Sequence, residues 1–107
     1  MQTREDRREA LRRKIVPKEE TIQAAEKKLA KIEHGQEGLR KILDDLLEVE
    51  AEALKKDAKK MLEKIQKEKE HIGEQASEAR RDWLQLGEKI AQLKKERMDL
   101  EQKLRGI

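Results

Sequence analysis

The sequence predicts an all-α fold, either an elongated antiparallel coiled-coil hairpin or a three-helix bundle. Three observations lead there. Charged residues make up 48% of the 107 residues and aromatics 1%, so a thick globular core cannot be filled. A thin seam between helices can, because Leu, Ile and Ala suffice for it, and an excess of Ala, Glu, Lys, Leu and Arg is the signature of long helices. The apolar residues are also periodic, recurring mostly every three, four or seven positions, as an amphipathic helix requires. That periodicity argues against disorder, which charge and low hydrophobicity alone would favour. The length suits one helical domain covering 1–107.

The organising stretch is His34–Leu62, whose helix is expected to run over 36–72. Leu39, Leu43, Leu46, Leu54, Ala58, Met61, Leu62 and Ile65 form its stripe. Glu37→Lys41, Glu52→Lys56 and Glu63→Lys67 are i,i+4 pairs in the favourable order. Whatever precedes or follows this helix must fold back on it or leave the stripe in water.

Before it, residues 1–16 read as a basic arm or first helix, with Arg4, Arg7, Arg8, Arg12 and Arg13. Thr3 and Asp6 have the spacing of a capping box at its start. Pro17 lacks an N–H and biases Val16 away from helical geometry, so a break is expected there and a kink is the alternative. A helix over 17–33 follows, with Ile22, Ala25, Leu29 and Ile32 in heptad spacing. Gly35 and Gly38 each cost about 1 kcal/mol in a helix interior relative to Ala. The first reversal is therefore expected there, with Gly35 as a left-handed cap.

After Ile72, Gly73 is a second, weaker break candidate, and a third helix is expected over 74–105. Its seam holds Ala76, Ala79, Trp83, Leu86, Ile90, Leu93, Leu100 and Leu104. Because this stripe continues the earlier one, a helix unbroken through Gly73 stays open.

Net charge is +3, divided as +3 over 1–16, −4 over 17–53 and +4 over 54–107. A near-balanced chain argues little for nucleic acid, and without Phe or Tyr there is almost nothing for a base to stack on. The acidic middle is instead expected to lie along the basic last part. Seven lysines between Lys55 and Lys69, interleaved with acids, read as a solvated face. No cysteine is present, so no disulfide, thiolate metal site or thiol nucleophile can form. No apolar run suffices for a membrane span, and the expected location is cytoplasmic. His34 and His71 fall at expected turns, and no Glu-x-x-His, calcium loop or phosphate loop occurs. Neither an enzyme nor a cofactor is expected. Trp83 is either a seam anchor opposite small alanines or a partly exposed binding hot spot.

The stretch Ala30-Lys31-Ile32-Glu33-His34-Gly35-Gln36-Glu37-Gly38-Leu39-Arg40-Lys41 resembles the Rho-effector homology-region-one repeats, and Leu54-Lys55-Lys56 with Lys59-Lys60 and Leu62 is similar to their second part. The resemblance covers roughly residues 20–72. It departs at Gln36, where the family usually has Ala, and the segment carrying Trp83 has no counterpart in the family. It implies a two-helix finger that binds a Rho-family small GTPase, with Arg40 and Lys41 in the contact surface near the first reversal. The spacing of Ile72, Trp83 and Leu86 is also similar to the third helix of a spectrin repeat, although the first helix lacks that family's tryptophan. Three long helices resemble a BAG domain too, but that family's Arg and Gln contact pattern finds no place on the last helix. The expected function is a helical protein–protein interaction module with partner-binding residues Arg40, Lys41 and Trp83. A spectrin-like spacer or a self-assembling homo-oligomeric coiled coil is the alternative, and a basic nucleic-acid binder ranks third.

Overall fold

The computed structural model describes residues 3–107, and these form two long helices, α1 over Arg4–Lys55 and α2 over Lys59–Arg105. The chain is an antiparallel helical hairpin, so the hairpin alternative holds, and among the described residues there is no third helix. It packs as two compact units. One joins the residues up to Ala30 with Leu84–Ile107, and the other is Lys31–Trp83.

The expected helix starts and stops are corrected at four places, the last of them the turn itself. Val16-Pro17 does not separate an arm 1–16 from a helix 17–33, because α1 runs through both. Pro17 lies on the exposed face between seam positions Ile15 and Lys18. The carbonyl that loses its donor there can turn to water, which is the tolerated way to carry an interior proline. Thr21 donates its hydroxyl to the Pro17 carbonyl at 2.9 Å. Gly35 and Gly38 lie inside α1 with ordinary negative φ, so the first reversal is not there. Gly73 lies inside α2, and the option of a helix unbroken at that point is the one realised. Helical glycines cost stability but do not forbid a helix, and the stripe on either side of them is strong enough to carry it.

The single reversal falls at Lys56-Asp57-Ala58, cutting the stretch expected as one helix over 36–72. Asp57 takes φ 52°, the left-handed region. The Ala58 N–H donates to the Ala53 carbonyl at 3.0 Å and the Asp57 N–H to the Leu54 carbonyl at 3.3 Å. This pair of bonds is a Schellman C-cap with Asp57 in the position usually given to Gly. Asp tolerates it better than most residues, at some cost. Ala53, 1% exposed, leaves room for Ala58 to fold back against the helix end. At the other end of α1 the expected capping box is formed. The Thr3 hydroxyl accepts the Asp6 N–H at 3.1 Å, and the Asp6 carboxylate accepts the Thr3 N–H at 3.1 Å.

Along α1 the less exposed positions alternate by three and four without a slip, through Leu11, Ile15, Lys18, Ile22, Ala25, Leu29, Ile32, Gln36, Leu39, Leu43, Leu46, Glu50 and Ala53. From Ala58 the same spacing enters α2 at Leu62 and runs through Ile65, Lys69, Ile72, Ala76 and Ala79 to Leu86, Ile90, Leu93, Leu100 and Leu104, with intervals of three, four or seven. Between the two helices the interval is five, from Ala53 to Ala58, and this phase slip marks the turn. Leu54 and Met61, expected in the stripe, lie outside it and are exposed.

In the unit carrying the chain ends, Ile22, Ala25 and Ile90 are buried together, with Leu29, Leu86 and Leu93 packed around them. Across the same seam Lys18 pairs with Glu96 at 2.7 Å and Glu26 with Lys94 at 3.1 Å. In the unit carrying the turn, Ala53, Ile65 and Ile72 are buried, and Glu50 meets Lys69 at 2.8 Å. Glu26 with Lys94 and Glu50 with Lys69 realise the expected alignment of the acidic middle with the basic last part. Lys18 with Glu96 has the opposite polarity.

Candidate protein-interaction surface

A helix that buries one stripe leaves two flanks beside it, and those flanks carry what a partner can read. Arg40 follows the seam residue Leu39 and stands on one flank of α1 in the turn unit. The antiparallel return of α2 brings Arg80 to the same side. Arg40 and Arg80 line one groove with Gln36, Leu39, Leu43, Ile72 and Ala76. Leu39, Leu43, Ile72 and Ala76 make the floor aliphatic except at Gln36, and the rim carries two guanidinium groups, both exposed. Neither Arg40 nor Arg80 is in an ion pair among the described residues. Gly73 falls one heptad before Arg80, and a Cβ built on it would meet nothing within 4 Å. A planar, always-charged fork matches the geometry of a carboxylate or a phosphate.

Lys41 is exposed on the outer face of α1, one step further from the seam than Arg40. Trp83 lies in the seam register but is 38% exposed, and its indole N–H donates to the Glu33 carboxylate at 3.0 Å. Glu33 precedes Arg40 by one heptad, so the tryptophan's polar edge and Arg40 share a flank. Trp83 is thus a seam residue with an accessible edge, between the two roles the sequence leaves open. The fold brings Arg40 and Trp83 to one side and leaves Lys41 apart from both. Arg80 is the member that sequence reasoning missed. Its nearness to Arg40 depends on the turn being at 56–58, and no local pattern around Arg80 signals it.

His34 and His71 are exposed on helices rather than at turns, because the turns expected beside them do not form. Among the described residues no group of three or more His, Cys, Asp or Glu side chains could hold a metal ion. No described helix is long and apolar enough to cross a membrane. Glu96 is held low, first by hydrogen bonds from Lys18 and Gln92 and then by the Lys18 charge, and this concerns the packing of the hairpin rather than the groove.

No family model matches this chain, and no curated protein or solved structure matches it.

Proposed function

We propose that the chain is a helical protein–protein interaction module that receives an acidic partner surface in the groove between Arg40 and Arg80. The observation that carries this reading is the convergence, on one largely aliphatic groove, of two guanidinium groups that are in no ion pair among the described residues. Arginine is among the residue types enriched where interfaces bind tightly. The hairpin seam supports the site by holding both side chains on rigid helices, so little ordering is needed on binding.

The most concrete partner is a nucleotide-loaded Rho-family small GTPase, on the resemblance of residues 30–41. Arg40 lies in the matching stretch, and that stretch is the middle of a helix instead of a reversal. The contact surface is therefore a helix flank. Calorimetric titration of the chain with loaded and unloaded Rho-family proteins tests this partner. Preferential binding of the loaded form supports it, and Arg40→Glu with Arg80→Glu should then weaken affinity on the order of tenfold or more while helicity is unchanged. Absence of binding to any member at high micromolar concentration would remove the GTPase reading and favour the spacer or assembly role.

A further inference from the structure

In the unit that carries the chain ends, one flank of the seam is basic on both helices. Lys14 precedes the seam residue Ile15 on α1, and Lys103 precedes Leu104 on α2. The two lysines line one groove with Pro17, Glu96, Asp99 and Leu100. Arg7, one heptad before Lys14, lines the next groove with Ala10, Leu11 and the same Lys103. Lys28 stands two heptads after Lys14, and Lys89 two heptads before Lys103. The antiparallel register that sets Lys14 opposite Lys103 therefore sets Lys28 opposite Lys89, each directly before a packed seam residue, Leu29 and Ile90. All five bases are exposed, and none is in an ion pair among the described residues.

Facing positions beside a seam commonly carry opposite charges, which bridge the helices. Here they carry the same charge, and the repulsion works against the hairpin. Acids on the same helix do not offset it. Arg7, Lys14, Lys28 and Lys89 have no acid three or four residues away, and Lys103 has only Asp99. Lys18 and Glu96 neutralise each other on this flank, which leaves Asp99 as its one acid outside an ion pair among the described residues. The outward positions beside the flank balance, with Asp6 and Glu20 against Arg13 and Lys27 on α1 and Glu88 against Lys95 on α2. The near-balanced charge of the whole chain conceals this segregation.

The flank also lacks exposed large apolar side chains. Between its bases stand Ala10, Pro17, Thr21 and Ala24 on α1 and Gln92 on α2. The exposed apolar residues of this unit, Val16, Leu84 and Met98, each follow a seam position and fall on the other side. A protein partner would find no apolar centre to bury here, and a bilayer no apolar side chain to take up. A polyelectrolyte needs neither, because its affinity comes from releasing condensed counterions. No aromatic side chain is present for an unpaired base to stack on, which favours a duplex over a single strand. From Arg7 to Lys28 the row runs ~32 Å at 1.5 Å per residue, about one turn of a duplex. We propose that this flank binds the phosphate backbone of a double-stranded nucleic acid without regard to sequence. A ridge of phosphates seats between the two basic rows, and the small side chains of α1 let it approach closely. Neither Arg40 nor Arg80 takes part, so the proposal stands or falls independently of the function proposed above.

Fluorescence anisotropy of a labelled DNA duplex about two turns long, titrated with the whole chain over a series of salt concentrations, tests it. Binding is expected at micromolar concentration at low ionic strength. The logarithm of the association constant should fall against that of salt with a slope of about −4, as five bases and one acid imply. Lys14→Gln with Lys103→Gln and, separately, Lys28→Gln with Lys89→Gln should each make the slope shallower by about 2 and weaken binding on the order of tenfold at low salt. Arg7→Gln alone should make it shallower by about 1. Lys60→Gln with Lys64→Gln, exposed lysines outside the flank, should leave the slope unchanged. Circular dichroism checks folding, and the two paired variants should melt no lower than wild type because each removes a repulsion. Vesicles of phosphatidylcholine with phosphatidylserine, at the same ionic strength, should bind more weakly than the duplex. Absence of duplex binding into the high micromolar range at low salt overturns the proposal. So does a slope that the folded flank variants leave unchanged, one that the Lys60 and Lys64 variant lowers as much, or tighter binding to the vesicles than to the duplex.

Discussion

Gly35 and Asp57 exchange the roles that their residue types suggest. Gly35 is helical, and a methyl group placed on it would meet nothing within 4 Å. Gly35→Ala should therefore raise stability by about 0.5–1 kcal/mol in a denaturant titration, where a glycine at a left-handed cap would respond in the opposite direction. Asp57 carries the left-handed conformation instead. Asp57→Gly should stabilise the hairpin by about 1 kcal/mol, because glycine takes that conformation without the Cβ penalty. Trp83 leaves its seam position partly open, so Trp83→Ala should fall short of the ~3 kcal/mol at which emptying a fully buried aromatic begins. Glu96 gives the chain a pH dependence. Its folded carboxyl is held below the ordinary range by Lys18, so its contribution is present above that range and is lost as pH falls through the folded value. The stability difference between wild type and Glu96→Gln should accordingly shrink as pH is lowered below the ordinary carboxylate range, and a difference that grew on acidification would exclude this assignment.

At the scale of the elements, the heptad alternation of Ile22, Ala25, Leu29 and Ile32, and that of Ile72 through Leu104, is written in the sequence and found in the structure. So is the Thr3–Asp6 cap. The helix ends were harder to read because the two conspicuous glycines lie on the helix's outer faces, where they cost propensity but interrupt no packing. The true turn has no Gly or Pro. Its signal is the five-residue interval from Ala53 to Ala58, which becomes visible only when Leu54 and Met61 are excluded from the stripe. The same cause hid half of the candidate site. Arg40 could be singled out from its own neighbourhood, whereas Arg80 joins it only once the reversal is placed. Pro17 offers a test at this scale. Since it is an exposed proline in a helix interior, Pro17→Ala should raise stability, by up to about 3 kcal/mol. A loss of stability would mean that the kink it imposes is needed for the packing of Ile15 and Ile22.

For the whole molecule, the reversal at 56–58 determines which residues meet across the seam, and the arginine groove depends on it. Glu50 and Lys69 give the most direct test. They pair at 2.8 Å from opposite sides of the turn. Were residues 36–72 one helix, the same two residues would stand ~28 Å apart at 1.5 Å per residue. The chain has no cysteine, so Glu50→Cys with Lys69→Cys introduces a clean pair of thiols. Treated with a short bismaleimide in dilute solution, this variant should give an intramolecular cross-link at the mass of one chain. Thiols that are modified singly, or bridged only between two chains, would contradict the hairpin.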